Sequence, residues 1–169
     1  ARRHGLPPEV LAGIAWTEAG GDPDIVDKAA HLVRSAVPFI RDPNLTSAGD
    51  VSIQLRHIAE MQGKDPKSLT YGERKRILDN LQNESYNLDI VARHAKDLLS
   101  KAYAGHKGGA LNDEQVKLLG YMYNMGYPHK LLGPGKDLDE VPRKTKRNVR
   151  YGHDLVKKLG RMRGLLGLE

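Results

Sequence analysis

The chain has 169 residues, 39% of them hydrophobic and 28% charged, a composition typical of one globular domain with a substantial core. Without cysteine it can form neither disulfides nor thiolate metal sites, and it has no apolar run of about eighteen residues that would span a membrane. The net charge of +6 favours an anionic partner, which would be nucleic acid, a membrane surface or an anionic cell-wall polymer.

The first predicted element is a short apolar helix from about Pro8 to Ala19. Pro7 and Pro8 suit a first helical turn, where a missing backbone N–H costs nothing. Gly20 and Gly21 follow at once and suit a left-handed C-terminal cap. These signals give the helix a defined beginning and end.

Glu18 lies near the end of this helix, on the same face as Leu11 and Ile14. Burial of that face and the negative end of the helix dipole both disfavour a charged carboxylate, so both would keep Glu18 protonated. A carboxylic acid that stays protonated near neutral pH can act as a general acid. The plainer interpretation is a glutamate at a helix end whose carboxylate reaches water.

Further stripes of apolar residues at helical spacing predict more helices along the chain. They lie at 25–36, 51–59, 77–81, 88–102, 116–123 and 151–159. Thr70 with Glu73 forms a capping-box pattern, and Asn112 with Gln115 is its amide variant. Because period-two alternation is almost absent, we predict a mostly α, single-domain fold of about seven helices, with at most a small hairpin or flap near 131–135.

The positive charge is concentrated at 141–169, where nine Lys and Arg face two acidic residues, a net charge of +7. The rest of the chain is near −1. The apolar stripe at 151–159 predicts that this basic C-terminal segment is a docked helix rather than a disordered arm. Its charge indicates either an anionic partner or a solvated helix face. With one Phe and one Trp in the chain, a surface for single-stranded nucleic acid is disfavoured.

Four segments, taken in order, resemble the lysozyme-like superfamily, in particular soluble lytic transglycosylases and goose-type lysozymes. They are the helix end Trp16-Thr17-Glu18-Ala19-Gly20-Gly21, the turn Ser47-Ala48-Gly49 followed by Gln54, the helix from Asn87 through Leu99, and the run Tyr123-Asn124-Met125-Gly126. The resemblance covers roughly residues 6–127. This sequence departs from the family in having additional residues between Gly49 and Gln54. The resemblance implies a lysozyme-like fold with a substrate cleft.

The resemblance also implies cleavage of the β-1,4 bond between N-acetylmuramic acid and N-acetylglucosamine in peptidoglycan, with Glu18 as the general acid. It implies that Ser47, Gln54, Tyr123 and Asn124 bind the N-acetylated sugars. Without the resemblance, Tyr123 would be a core aromatic residue and Asn124 a C-terminal helix cap.

A hydrolase needs a second carboxylate to position water, whereas the transglycosylase resemblance implies one acid that works twice. Asp50 is our candidate, because the loop after Ser47 should approach the cleft. A turn or N-cap aspartate is the plainer interpretation of Asp50. Asp42, Asp22 and Asp24 are the other candidates.

No cofactor or metal is expected, because His57 and Glu60 lie three apart on a predicted helix without an evident third ligand. The resemblance implies action on peptidoglycan glycan strands in the periplasm or outside the cell, and we expect a monomer. We expect no specific nucleic acid. The alternatives are a helical module that binds nucleic acid or another acidic partner through 141–169, and an inactive sugar-binding scaffold.

The absence of a starting Met and of an apolar leader predicts a processed product or an excised domain, and leaves the export route open. Such a domain would suit a secreted antibacterial effector or a phage-associated lysin. In the effector case a cognate immunity or inhibitor protein should plug the cleft.

Overall fold

The computed structural model describes residues 1–19, 47–48, 51–103, 108–125 and 146–168. Within them lie six α-helices: α1 (Pro8–Glu18), α2 (Leu55–Met61), α3 (Tyr71–Leu81), α4 (Glu84–Ala102), α5 (Asp113–Met125) and α6 (Lys146–Leu166). Two short 3-10 helices, Arg2–His4 and Pro66–Ser68, and two strands, β1 (Ser47–Ala48) and β2 (Ile53–Gln54), complete the described elements. The predicted mostly α class is confirmed.

The chain divides into two compact units, one formed by Ala1–Ile14 with Ala92–Glu169 and the other by Ala15–Val91. In the first unit α5 packs along α6, and the buried side chains include Leu119, Met122, Leu155 and Met162. The predicted docking of the basic segment as a helix is therefore confirmed for α6. No described helix is both long enough and apolar enough to cross a membrane.

Two glycines let the backbones of α5 and α6 approach closely. A Cβ atom added to Gly120 would lie 2.8 Å from the Cα of Gly152, and one added to Gly152 would clash with the backbone oxygen of Lys117. Real Cβ atoms do not approach other atoms this closely. The contact between the helices therefore requires the absence of a side chain at both positions.

Both predicted capping boxes are confirmed. The N–H of Thr70 donates to Glu73 Oε2 at 2.9 Å, and the N–H of Glu73 donates to Thr70 Oγ1 at 3.3 Å. The N–H of Asn112 donates to Gln115 Oε1 at 3.0 Å, and the N–H of Gln115 donates to Asn112 Oδ1 at 2.9 Å. Each pair satisfies backbone donors that the first turn of a helix leaves free.

Glu73 also bonds to Lys64 Nζ at 2.6 Å, across the segment that joins α2 and α3. This hydrogen bond, together with those from Thr70, lowers the pKa of Glu73 to about 2. Hydrogen bonds and a nearby positive charge stabilise the carboxylate form. Glu73 therefore stays ionised in the folded chain well below the usual range of a carboxyl group.

Some predicted details were wrong. Val51 lies outside any helix, since α2 begins at Leu55, and α4 is longer than the predicted four turns because it begins at Glu84 and has 19 residues. Leu88 is 37% exposed, although its spacing placed it in the apolar stripe. It sits in the first turns of α4, where only part of that stripe is covered.

Three predictions lie outside the described residues: the helix at 25–36, the glycine cap at Gly20 and Gly21, and the hairpin near 131–135. The described hairpin lies elsewhere. β1 and β2 pair antiparallel, with Ser47 opposite Gln54 and Ala48 opposite Ile53.

Candidate active site

Glu18 is the last residue of α1, which ends one residue before the predicted end at Ala19. The apolar residues Val10 and Ile14 of this helix are 1% and 0% exposed, and Glu18 itself is partly buried. The N–H of Ala19 still donates to the oxygen of Ala15 at 2.9 Å, so the helical hydrogen bonding continues to the turn. The carboxyl group thus belongs to the C-terminal end of a helix, where the helix dipole disfavours negative charge.

The hairpin brings together two of the predicted sugar-binding residues, Ser47 and Gln54, as direct partners across its two strands. The additional residues between Gly49 and Gln54, which set this sequence apart from the family pattern, therefore do not separate the two segments. Of these residues, Val51 and Ser52 directly precede β2, and Ile53 is its first residue. Gln54 was expected on a short helix, and this was wrong: it ends β2 and precedes α2 as its N-cap residue.

The side chain of Gln54 has an unused acceptor. It makes no capping hydrogen bond to α2. Its Oε1 atom is buried, and no hydrogen-bond donor reaches it within the described part of the chain. Because a buried polar atom without a partner is costly, such an atom is a candidate for contact with a ligand.

Asn87 holds the hairpin in place. Its Oδ1 accepts from the N–H of Val51 at 2.9 Å, and its Nδ2 donates to the oxygen of Val51 at 3.1 Å. Asn87 is 1% exposed and Val51 is 5% exposed, so both hydrogen bonds are shielded from water. One amide side chain thus satisfies both backbone groups of a buried residue in the hairpin connection.

The sequence marked Asn87 only as the residue that opens the core helix, which was wrong in detail, because α4 begins three residues earlier at Glu84. Its positioning role was missed. A signal did exist: Asn87 is a polar residue on the same face as Val91 and Leu98, both buried. A buried amide on an apolar face must find hydrogen-bond partners elsewhere.

Tyr123 is 9% exposed on α5, within a small aromatic cluster. Its ring centroid lies 5.6 Å from that of His94 on α4 and 6.3 Å from that of Tyr151 on α6, and the Tyr151 ring is inclined to it by 23°. These distances are typical of tilted and offset-stacked aromatic pairs. This position agrees with the core interpretation of Tyr123. Asn124, the next residue, is exposed in the last turn of α5.

Asp50 and the other candidates for a second carboxylate, Asp22, Asp24 and Asp42, lie outside the described residues. Among the described residues, no group of three or more His, Asp or Glu could hold a metal ion. Nδ1 of His57 lies 3.4 Å from Glu60 Oε2; 54% of the glutamate side chain is exposed but only 13% of the histidine side chain, so the surface pair that we expected has one largely covered member.

Comparison with known proteins finds no similar one: no protein-family model, curated protein or solved structure matches this chain. The site must therefore be judged from its own residues.

Proposed function

We propose that this protein cleaves the glycan strands of bacterial peptidoglycan, with Glu18 as the general acid. The observation that carries the proposal is the position of Glu18: it is a partly buried carboxyl group at the C-terminal end of an apolar helix. The proposal requires that partial burial and the helix dipole together keep this carboxyl group protonated near neutral pH.

Cleavage of the bond between N-acetylmuramic acid and N-acetylglucosamine needs a proton for the leaving oxygen. Glu18 supplies that proton in this proposal. The second step then follows one of two routes. In a hydrolase a second carboxylate activates water, and Asp50 is the proposed residue. In a lytic transglycosylase the deprotonated Glu18 accepts a proton from a hydroxyl of the sugar, which closes an anhydro ring and needs no second carboxylate.

The hairpin supports the proposal by placing Ser47 opposite Gln54. In this proposal the N–H of an acetamido group or a sugar hydroxyl displaces what covers Oε1 of Gln54 and satisfies that buried acceptor. Tyr123 and Asn124 belong to the other compact unit, and their proposed part in sugar binding rests on the resemblance alone.

The test is digestion of purified peptidoglycan, with the released muropeptides weighed by mass spectrometry. Glu18→Gln should abolish release. The matched control is Glu84→Gln, which makes the same change at an exposed glutamate at the N-terminal end of α4. It should leave the rate unchanged, because Glu84 is exposed and has no role in the proposed reaction. Anhydro ends in the products would indicate transglycosylation, and reducing ends would indicate hydrolysis.

The remaining outcomes separate the alternatives. If the wild type and Glu18→Gln bind peptidoglycan equally and neither releases muropeptides, the protein is an inactive sugar-binding scaffold. Binding to duplex DNA that weakens steeply with salt, and no binding to peptidoglycan, would favour the helical binding module. If cleavage is observed, we propose that the protein is an antibacterial effector or a phage-associated lysin that acts in the periplasm or outside the cell. In the effector case, a cognate inhibitor protein should block the cleft.

A further inference from the structure

Gln54 and Arg56 lie two residues apart, where β2 passes into α2. Gln54 ends β2, and Arg56 is the second residue of α2. Burial alternates along this stretch: Ile53 and Leu55 are 3% and 2% exposed, whereas Gln54 and Arg56 are partly exposed. These two side chains are therefore the ones that a ligand can reach from solvent at this junction.

The guanidinium of Arg56 has an unused donor. Its Nε atom is buried, and no hydrogen-bond acceptor reaches it within the described part of the chain. The acidic residue of α2, Glu60, lies beside His57 instead, with 3.4 Å between its Oε2 and Nδ1 of the histidine. A buried N–H of a charged group without an acceptor is costly, so an anionic ligand that accepts from it would gain affinity.

The unpaired atoms of Gln54 and Arg56 are of opposite kinds. Oε1 of Gln54 is a buried acceptor without a donor, and Nε of Arg56 is a buried donor without an acceptor, so the two do not bond to each other. A ligand that satisfies both must carry an N–H or O–H close to an anionic acceptor. An N-acetylated sugar acid carries both, whereas a phosphate diester offers acceptors only.

We propose that Arg56 binds a carboxylate on the lactyl arm of N-acetylmuramic acid, and so makes the site specific for this sugar over N-acetylglucosamine. This deepens the proposed function and rests on it for the identity of the sugar. In peptide-free strands the carboxylate belongs to the lactyl group itself, and in peptide-bearing strands it belongs to the attached peptide. A guanidinium can donate two parallel hydrogen bonds to either one, and binding displaces what covers Nε.

Arg74 on α3 provides an internal comparison. Its Nε is also buried, without an acceptor in the described part of the chain. However, no residue of α3, all of which the structure describes, has a buried acceptor without a partner. A covered guanidinium alone therefore does not define the proposed site, which requires the neighbouring acceptor of Gln54.

The test titrates three soluble glycan fragments of equal length into the Glu18→Gln protein, which does not digest them. Two contain N-acetylmuramic acid, one with and one without its peptide, and the third contains only N-acetylglucosamine. Arg56→Gln should lower the affinity for muramic acid fragments on the order of tenfold and leave that for the third unchanged. Arg56→Lys should lower it only about threefold, because lysine keeps the charge but not the planar fork.

Arg74→Gln and Arg76→Gln are the matched controls, one at a covered arginine and one at an exposed arginine of α3. Both should leave all three affinities unchanged. Arg56→Gln should also not lower the Tm, because it removes a buried donor that no described acceptor reaches. A clear loss of Tm would make Arg56 a structural residue and would overturn the proposal.

The fragments distinguish the two sources of the carboxylate. A loss confined to the peptide-bearing fragment assigns it to the peptide, and a loss on the peptide-free fragment assigns it to the lactyl group. Equal affinity of the parent and Arg56→Gln for both muramic acid fragments would overturn the proposal. An equal loss on the N-acetylglucosamine fragment or in Arg74→Gln, or no binding of any fragment by the parent, would do the same.

Cleavage of peptidoglycan is measured separately, with Glu18 intact. If the wild type releases no muropeptides, the proposed function fails, whereas the titrations still decide whether Arg56 recognises the carboxylate. If the wild type and Arg56→Gln cleave with the same kcat/KM and bind the fragments equally, the role of Arg56 fails and the proposed function stands.

Discussion

The contact between α5 and α6 and the 47–54 hairpin are held by different forces. The helix pair depends on shape, because Gly120 and Gly152 allow the two backbones to meet over an apolar core. The hairpin has strands of only two residues each, and Asn87 fixes its connection through two hydrogen bonds to Val51. The contact between α5 and α6 therefore excludes added volume at the two glycines, whereas the hairpin that carries Ser47 and Gln54 depends on one buried amide.

The largest effect is expected from Gly152→Ala. The new Cβ would clash with the backbone oxygen of Lys117, and a backbone atom cannot turn aside as a side chain can. The helices must separate, so we expect the free energy of unfolding to fall by roughly 3 kcal/mol, as measured by denaturant unfolding.

Gly160→Ala is the control on the same helix. Gly160 is exposed, and nothing lies within 4 Å of an added Cβ. This substitution should stabilise the protein by up to about 1 kcal/mol, because alanine favours a helix more than glycine does. A neutral Gly152→Ala would show that the α5–α6 contact does not depend on close approach of the backbones.

Asn87→Ala tests how far the hairpin depends on its two hydrogen bonds to Asn87. It leaves the buried N–H and oxygen of Val51 without their partner, so we expect a loss of roughly 2 kcal/mol. Amide hydrogen exchange at Val51 should accelerate more than exchange at buried positions of α5. Asn80→Ala, at an exposed position of α3, should change stability by less than about 0.5 kcal/mol.

Release of muropeptides should also fall in Asn87→Ala if the hairpin presents Ser47 and Gln54 to the glycan. If Asn87 has a positioning role, Asn87→Ala should raise the KM for glycan fragments, and Asn87→Asp should raise it less. Because burial at this position favours the protonated form of an aspartate, its carboxylic acid can still accept from the N–H of Val51 and donate to its oxygen. If Asn87→Ala leaves the activity unchanged, the hairpin does not take part in the proposed site.

Features that depend on neighbouring residues along the chain, such as helix ends and caps, could be predicted from the sequence. The end of α1 near Glu18 and the caps at Thr70 and Asn112 follow from residues within one helical turn, and the structure reproduces them. The hairpin could not be predicted in this way. Two-residue strands are too short to show a period-two pattern, and the contact that fixes them joins Val51 to Asn87, 36 residues further along the chain.

The exposure of Leu88 has the same origin, because helical spacing predicts a shared face but not how far the neighbouring elements extend over it. For the candidate site, the position of Glu18 could be predicted from its own helix. The pairing of Ser47 with Gln54 depends on a hairpin whose connection is held from α4, which is a tertiary contact.

Smaller effects are expected at the two capping boxes, one in each unit. Thr70→Ala and Asn112→Ala should each cost about 1 kcal/mol, because each removes a side chain that accepts from a backbone N–H in a first helical turn. The double variant should show the sum of the two losses, since the caps share no partner. A clear departure from additivity in denaturant unfolding would mean that the two units are energetically coupled through these helix ends.

The smallest effect is a pH dependence at Glu73. It distinguishes a contact that depends on charge, such as Glu73 with Lys64, from one that depends on shape, such as that at Gly152. Lys64 and Thr70 lower the pKa of Glu73 to about 2, below its usual value of 4.5. The ionised form therefore stabilises the folded chain above about pH 4.5, and that contribution is lost as the pH falls towards 2. The difference in Tm between the wild type and Glu73→Gln should shrink over this range. The destabilisation by Gly152→Ala should not change there, because the clash that causes it involves no titrating group. A Tm difference for Glu73→Gln that is constant from pH 6 to pH 2 would show that the contact with Lys64 does not contribute to stability in solution.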